Sequence, residues 1–438
     1  MLRWPRRAIN ARALWLMTLA AVACSGAMMR RTVRTPATSS GDVAPPPRAR
    51  GERGASARIV RIALVRGAEE ARLAGDGEWG LYTGDGAVLA GVVRAGETWT
   101  LAADGRGFVA RDGNGIVLPI RAGSVVARSR DGGMLSFAGR RWRGELWITA
   151  DEGRRLMVVN RLAMDDYLKG VVPLEIGTRV MSDFAAAEAQ SVAARSYAYM
   201  HLVGPERPYD MLATVSDQVY GGVTAETPLG NQSVDNTAGL VLMYAGRVVN
   251  APYHGNCGGF TAEPGDAWRS GPEPYLQRVS DQIPGTDRFY CESGPKFRWT
   301  RTFTGEELRQ SIVRYLRTVP GAPESVATVR AVTVTEVTPA GRVAALSVDT
   351  DRGRWAMRGN EIRAALRTPS GEMLYSTYFS VGATGGRDGV RSLELRGGGN
   401  GHGIGMCQSG AIGRARAGQD FRTILTTYYP GTTIGSID

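Results

Sequence analysis

The clearest helix in the sequence is DFAAAEAQSVAARSYAYMHL, residues 183–202. Ser182 or Asp183 can cap its amino end, and apolar or small side chains recur along one face from Phe184 to Leu202. Because alanine side chains are small, neighbouring elements can approach this helix closely. We therefore expect it to be central and largely buried.

Strand-like runs precede and follow this helix. Between residues 59 and 159, short β-branched runs alternate with turns such as Asp104-Gly105, which predicts a β-rich N-terminal domain. Residues 160–438 are predicted to form a second, catalytic domain, a mixed sheet packed on the alanine-rich helix. The expected fold class is therefore α+β. Later elements are predicted as helices near 305–316 and 420–429 and strands near 328–337 and 343–350.

The first 24 residues have the pattern of a secretory signal. Four arginines precede an apolar run, residues 13–23, which is too short to span a bilayer. The run ends at Ala-Val-Ala-Cys, which resembles a bacterial lipobox with Ala21 where leucine is usual. Lipid attachment at Cys24 is therefore predicted, and the alternative is an ordinary signal with an Ala-x-Ala site. Residues 25–58 indicate a flexible linker, so we expect an exported lipoprotein anchored in the cell envelope.

The charge of the chain limits its partners. The 438 residues carry a formal net charge of +11, spread along the sequence without dense Lys/Arg blocks. This distribution is not that of a nucleic-acid-binding arm, so we expect no nucleic-acid partner. A basic protein suits acidic polymers, but charge alone does not choose among DNA, anionic lipid and an acidic glycan.

Three further stretches place polar residues beside glycines or in apolar surroundings. They are YLKGVVPLEI (167–176), YHGNCGGFT (253–261) and GHGIGMCQSGA (401–411). With the alanine-rich helix, these stretches resemble the SpoIID/LytB family, whose members act on bacterial cell-wall glycan. The resemblance runs from about residue 59 to the end of the chain. One departure is Cys407, which stands where many members have serine.

The resemblance implies a lytic transglycosylase that cuts peptidoglycan strands lacking peptide stems and leaves 1,6-anhydro-muramyl ends. Such an enzyme requires no cofactor. The resemblance also implies that the glutamate after the Val-Val-Pro turn, here Glu175, is the catalytic acid. The LytB name also suggests an alternative, a non-catalytic glycan-binding module or an activator of a cell-wall amidase.

The surroundings of Glu175 favour an acid independently of the resemblance. Val171, Val172, Leu174 and Ile176 flank this carboxyl, and burial beside apolar side chains raises a carboxyl pKa. A lytic enzyme needs a single residue that acts first as acid and then as base, because the C6 hydroxyl of the muramyl sugar attacks its own C1. The alternative for Glu175 is a structural cap or ion pair at a helix entrance.

Four residues that follow Glu175 in the sequence are candidate substrate contacts. Arg195 can bind the lactyl carboxylate of the muramyl sugar together with Tyr197, or it can form a structural ion pair with Asp165 or Asp166. The family has a Gln-x-Tyr loop at the place of Gln218 and Tyr220, whose amide and aromatic ring are common in sugar sites. A loop without function is the alternative for this pair.

The histidines and cysteines allow several kinds of site. His254 and Cys257 have a spacing typical of zinc ligands, with Cys291 as a third ligand, and some family members carry zinc in this region. A Cys257–Cys291 disulfide, favoured by export, competes with a structural zinc and with free thiols. Any pairing leaves one cysteine over, which we expect to be Cys407.

The glycine-rich loop is expected to form the second wall of a glycan cleft. His402 and Gln408 lie in it, opposite His254, and the alternating glycines allow backbone to approach a ligand closely. A tight turn with an idle histidine is the alternative. A third functional hypothesis is a zinc hydrolase built on His254, Cys257, Cys291 and His402.

Overall fold

The computed structural model describes residues 58–84, 86–268, 270–386 and 388–437. The predicted signal and almost all of the linker lie outside these residues. The strands are β1 (Ile59–Ala68), β2 (Ala71–Gly75), β3 (Trp79–Thr83), β4 (Val88–Val93), β5 (Trp99–Ala103), β6 (Phe108–Asp112), β7 (Val117–Ile120), β8 (Ser124–Ser129), β9 (Leu135–Phe137), β10 (Arg140–Trp142), β11 (Glu145–Ala150), β12 (Leu156–Ala163), β13 (Met211–Leu212), β14 (Leu240–Tyr244), β15 (Arg247–Val248), β16 (Tyr253–His254), β17 (Trp299–Thr304), β18 (Val329–Val337), β19 (Val343–Thr350), β20 (Gly353–Arg358), β21 (Phe379–Gly386), β22 (Gly389–Gly397), β23 (Met406–Cys407) and β24 (Thr433–Ser436). The α-helices are α1 (Met164–Lys169), α2 (Val172–Ile176), α3 (Phe184–Met200), α4 (Pro228–Asn236), α5 (Pro264–Ala267), α6 (Gly305–Leu316), α7 (Glu361–Ala365), α8 (Gln408–Arg416) and α9 (Phe421–Tyr428). This mixture of antiparallel and mixed sheets with helices confirms the α+β class.

The first thirteen strands form two sheets. One has the order β13-β1-β12-β11-β8-β3-β4 and the other β10-β9-β2-β5-β6-β7. Their buried side chains, among them Trp79, Leu101 and Ile148, share one hydrophobic core. The predicted domain boundaries stay predictions. Strand β12 runs across the predicted boundary between residues 159 and 160. β13 pairs in parallel with β1, so a segment after α3 returns to the first sheet.

The alanine-rich helix α3 is buried, as predicted. Eleven of its seventeen residues are buried. It packs against α1, α2, α4, α8, α9 and β14, which approach closely because its contact face consists mainly of alanine and serine. The helix therefore determines where the elements carrying the sequence motifs lie.

A second hydrophobic core lies between residues 299 and 397. It contains the sheets β17-β22-β21 and β18-β19-β20 with α6 and α7. Thr304 and Glu307 form a capping box at the start of α6, which explains why this helix begins where the sequence predicts. The second core belongs to a longer segment, residues 255–405, which begins after β16 and ends before β23. These two strands pair in parallel, so the two ends of the segment lie side by side.

The packing of α3 predicts the effect of enlarging one of its buried alanines. Ala193→Leu is expected to lower the free energy of unfolding by about 1–3 kcal/mol, because the added carbons have no space in a filled core. Ala193 is fully buried. Urea denaturation of the purified protein measures the change. Ala185→Leu, at a partly exposed position of the same helix, is the control and should cost less. Equal losses would contradict the close packing of α3.

Candidate functional site

Glu175 lies on the short helix α2. Pro173 occupies the first turn of this helix, where its missing N–H costs nothing, and Gly177 ends it with a positive φ of 80°. Val172, Pro173 and Ile176 are buried against the core, whereas Leu174 is exposed and Glu175 is partly exposed. Glu175 therefore lies on a short helix that is anchored in the core, and the residue itself stays partly exposed.

The surroundings of this carboxyl favour its protonated form. Burial raises the pKa of Glu175 from 4.5 to about 7, against the opposite effect of a hydrogen bond that its Oε1 accepts from the Val219 N–H at 2.7 Å. Within the described part of the chain, no lysine or arginine forms an ion pair with Glu175, and its side chain does not cap α2. A substantial fraction is therefore protonated at neutral pH, as general acid catalysis requires.

The predicted sugar contacts Gln218 and Tyr220 are buried instead. The Gln218 amide donates to the carbonyl of Ala194 and to Tyr253 Oη, and accepts from Tyr167 Oη. The Tyr220 hydroxyl donates to Asn160 Oδ1 at 2.7 Å. Neither side chain is accessible to a glycan. They anchor the loop so that the N–H of Val219, which lies between them, points at Glu175.

Arg195 is likewise a structural residue, which corrects its prediction as a substrate contact. Its guanidinium is 1% exposed and donates to Asp165 Oδ1 at 2.8 Å and to the carbonyls of Leu240 and Val234. The ion pair with Asp165 is the alternative that the sequence left open. All its contacts point into the protein, so a lactyl carboxylate cannot reach it.

Two tyrosines near Glu175 are partly exposed, Tyr197 and Tyr253. Their ring centroids lie 6.5 Å apart, and Tyr197 stacks on His201 at 3.9 Å. Burial raises the pKa of Tyr197 to about 12, with smaller effects of Asp217 and Glu175 in the same direction. Sequence reasoning placed Tyr197 in the site but missed Tyr253, because its position depends on the distant β16–β23 pairing.

The loop histidines differ in their accessibility. His402 is partly exposed, accepts a hydrogen bond from the Ile404 N–H at Nδ1, and packs against Trp268 with ring centroids 4.9 Å apart. His254 is buried, with its Nδ1 3.2 Å from the Ile404 carbonyl, which corrects its prediction as a cleft residue. Burial lowers the pKa of His402 to about 3 and that of His254 to about 4, so both are neutral at pH 7.

Gln408 is also mostly buried. It begins α8 and donates to Gln190 Oε1 on α3 at 3.2 Å. This contact joins two helices, so its prediction as a substrate contact is not supported. Of the seven predicted substrate contacts, Tyr197 and His402 are therefore the two that remain partly accessible.

The predicted zinc ligands are only partly brought together. Cys257, Asp281, Cys291 and Cys407 are all buried, and their ligand atoms lie within 4.8 Å of one another. His254 and His402 are not in this group, so the predicted ligand set His254, Cys257 and Cys291 and the zinc hydrolase hypothesis are not supported. The Sγ atoms of Cys257 and Cys291 are 3.5 Å apart and unbonded. Cys407, which was predicted to remain unpaired, belongs to this group. Asp281 also belongs to it, although no local sequence pattern indicates Asp281 as a metal ligand.

Two parts of the chain match known protein families. Residues 152–244, which include Glu175 and α3, match a family model described as stage II sporulation protein, SpoIID. Residues 282–405, which include the second core, match a family described as a domain of unknown function.

Three curated relatives are similar over about two thirds of the chain. An uncharacterized protein of Brachyspira hyodysenteriae is 28% identical over 64% of this chain and 68% of its own length. The amidase enhancer of Bacillus subtilis is 28% identical over 61% of this chain, which spans 40% of that relative. The stage II sporulation protein D of Bacillus subtilis is 26% identical over 64% of this chain and 76% of its own length.

The raised pKa of Glu175 predicts a pH-dependent gain in stability on its replacement. Ionising this carboxyl in the folded protein is unfavourable, so wild type loses stability as the pH rises from about 4.5 to about 7. Glu175→Gln removes this loss, and its free energy of unfolding should exceed that of wild type by about 3 kcal/mol at pH 8 and be equal near pH 4. Urea denaturation at both values measures the difference.

Glu226→Gln is a control for which the opposite change in the free energy of unfolding is expected at pH 8. Burial raises the pKa of Glu226, but hydrogen bonds from Arg143 and Asn231 outweigh it and lower the pKa overall. Its stabilising effect is present above the pKa of the unfolded chain, so the variant should be less stable than wild type at pH 8. A Glu175→Gln variant that is less stable than wild type at pH 8 would contradict the buried, unpaired state of Glu175.

Proposed function

Because the chain belongs to the SpoIID/LytB family, we propose that it cleaves peptidoglycan glycan strands lacking peptide stems, as a lytic transglycosylase with Glu175 as its acid. Its relatives support a role at the cell wall. The observation that carries the specific reaction is the carboxyl of a partly exposed glutamate, which has no cationic partner among the described residues and whose pKa is raised by burial to about 7.

The chemistry needs one carboxyl group in two protonation states. Protonated Glu175 donates its proton to the glycosidic oxygen as the C1–O bond of the muramyl sugar breaks. The carboxylate formed then accepts the proton of the C6 hydroxyl, whose oxygen bonds to C1 and closes the 1,6-anhydro ring. The proton balance closes without water, and Glu175 returns to its starting state.

The neighbours of Glu175 suit this double role. The Val219 N–H holds one carboxyl oxygen, so the acid is oriented and the carboxylate is stabilised when it forms. Tyr197 and Tyr253 offer aromatic surface beside it. His402 and Trp268 extend the aromatic surface next to the backbone of Tyr253, which suits the apolar faces of sugar rings.

Hydrolysis would require a second carboxylate, and Asp217 is a candidate. It lies two residues before Val219, and its Oδ2 accepts a hydrogen bond from the Leu212 N–H at 2.8 Å. Asp217→Asn retains an oxygen for this bond but removes the charge, so it separates the one-carboxylate and two-carboxylate mechanisms.

Cleavage of stem-free glycan should therefore depend on Glu175 and not on Asp217. Wild type should release chains with 1,6-anhydro-muramyl ends, at a rate that falls as the pH rises above about 7. Glu175→Gln should reduce the rate about 10²–10⁴-fold, whereas Asp217→Asn should stay close to wild type. Mass spectrometry of the products identifies the chemistry of the new chain ends, and a time course of product formation gives the rate.

Other outcomes identify the alternatives. Reducing ends, together with loss of activity in Asp217→Asn, would indicate hydrolysis. Glycan binding without cleavage would favour a binding module or an activator of a cell-wall amidase, the role that the name of the Bacillus subtilis amidase enhancer suggests. Near-normal turnover in Glu175→Gln would remove this residue from the mechanism.

We also propose that the protein acts at the cell envelope as a lipoprotein anchored through Cys24. Cys24 lies outside the described residues, so this proposal depends on the signal and lipobox pattern alone. None of the helices that the structure describes combines the length and apolar character needed to cross a bilayer.

The anchor is tested on the mature protein. Wild type should partition with membranes and carry a lipid-modified Cys24 at its N-terminus, whereas Cys24→Ala should be released or stay unprocessed. Fractionation and mass spectrometry of the N-terminal peptide measure both. An unmodified Cys24 in the mature protein would reject lipidation and leave export intact.

A further inference from the structure

We propose that Cys257, Asp281, Cys291 and Cys407 bind a structural zinc ion that ties the glycine-rich loop and α8 to the loops around residues 257 and 281–291. The inference does not depend on the reaction at Glu175.

The distances within this zinc-ligand group suit a tetrahedral ion. The Sγ atoms of Cys257 and Cys291 are 3.5 Å apart, and the Cys257 Sγ lies 3.7 Å from Asp281 Oδ2. Ligands at about 2.0–2.3 Å from a tetrahedral zinc are separated by about 3.3–3.8 Å. Three sulfurs and one oxygen complete four-coordination with no open position, which is typical of a structural site.

The two carboxylate oxygens of Asp281 have different partners. Oδ1 accepts hydrogen bonds from Tyr428 Oη at 2.7 Å and from Arg414 Nε at 3.1 Å. Oδ2 faces Cys257 instead. One oxygen is therefore held in place by neighbours while the other is directed at the cysteines, which is how a monodentate metal ligand is positioned by the residues behind it.

Two backbone N–H groups are directed at the Cys407 sulfur. This Sγ accepts hydrogen bonds from the N–H groups of Cys257 at 3.2 Å and Gly410 at 3.3 Å. Cys407 is also the N-cap of α8, where the helix dipole favours negative charge. A side chain at Gly410 would collide with Asp281 and Tyr428, so glycine is required for this close approach.

Two buried arginines balance the charge that the ionised ligands would carry. Three thiolates and one carboxylate carry four negative charges, of which zinc neutralises two. Arg414 contacts Asp281, and Arg342 donates to the Cys257 carbonyl at 3.4 Å and lies near the Cys257 and Cys407 thiols. Arg342 is 1% exposed, and its Nη1 has no partner among the described residues. Arg342 forms no ion pair among the described residues, although Asp266 lies near enough to stabilise its charge. A metal-thiolate group of net negative charge would balance the rest of this buried charge.

A disulfide explains these features less well. A Cys257–Cys291 bond would need the sulfurs to approach to about 2.05 Å. It would also leave Cys407 as a buried thiol and Asp281 Oδ2 without a metal to bind, although Asp281 Oδ1 would keep its bonds to Tyr428 and Arg414.

The metal is tested first on the wild-type protein purified without a metal-binding tag. Elemental analysis should find about one zinc per chain, and removal by a strong chelator should lower Tm by about 10 °C or more, with recovery on adding zinc. Replacement by Co²⁺ should give an absorption band of thiolate-to-cobalt charge transfer, which reports the ligands directly. Because the three cysteines are buried in any case, the informative result is the difference: iodoacetamide should modify them faster after chelation than with zinc bound.

Variants then identify the ligands. Cys407→Ser and Asp281→Asn should lose most of the zinc, whereas His254→Asn should retain about one zinc per chain because His254 is outside the group. If a ligand variant does not fold, the cobalt spectrum and alkylation pattern of wild type still decide. Folded wild-type protein without zinc, or with a Cys257–Cys291 bond in the non-reducing mass spectrum, would overturn the proposal, and so would loss of zinc in His254→Asn alone.

Discussion

The Arg195 guanidinium has to be satisfied inside the protein, and the elements around α3 are arranged to do this. It joins α3 to α1 through Asp165, to α4 through the Val234 carbonyl and to β14 through the Leu240 carbonyl. Leaving such a buried cation without partners would cost several kcal/mol, about 3–5 for a broken buried pair. Three elements are therefore held to one orientation around the helix.

The position of Glu175 follows from that orientation. The carbonyl next to Arg195, that of Ala194, accepts from Gln218, and the Val219 N–H that follows binds the Glu175 carboxyl. The orientation of the Glu175 carboxyl is thus determined by buried polar groups on α3 and on the loop that contains Val219. Gln218, which is fully buried, therefore contributes to the direction in which the Glu175 carboxyl points.

Sequence reasoning succeeded where a local pattern decides the structure. The alanine-rich helix, the helices near 305–316 and 420–429, and the apolar surroundings of Glu175 could all be predicted from neighbouring residues. It failed for Gln218, Tyr220 and Arg195, because a polar side chain in a motif looks the same whether it meets a sugar or a buried partner. The cysteine group could not be predicted in full, since Asp281 and Cys407 reach it through pairings between distant parts of the chain.

The parallel pairing of β16 with β23 has a consequence for how this protein can vary in evolution. It brings together the ends of the long segment that contains the second core. The entropy lost in closing such a segment grows with the logarithm of its length, so doubling it costs about 0.6 kcal/mol. Changes of length within residues 299–397 are therefore cheap while the strands still pair, whereas Cys257, Cys291 and His402, which also lie between the strands, have to keep their positions. α2 and α3 precede the segment. This fold can exchange or resize its second core without rebuilding the elements that hold Glu175.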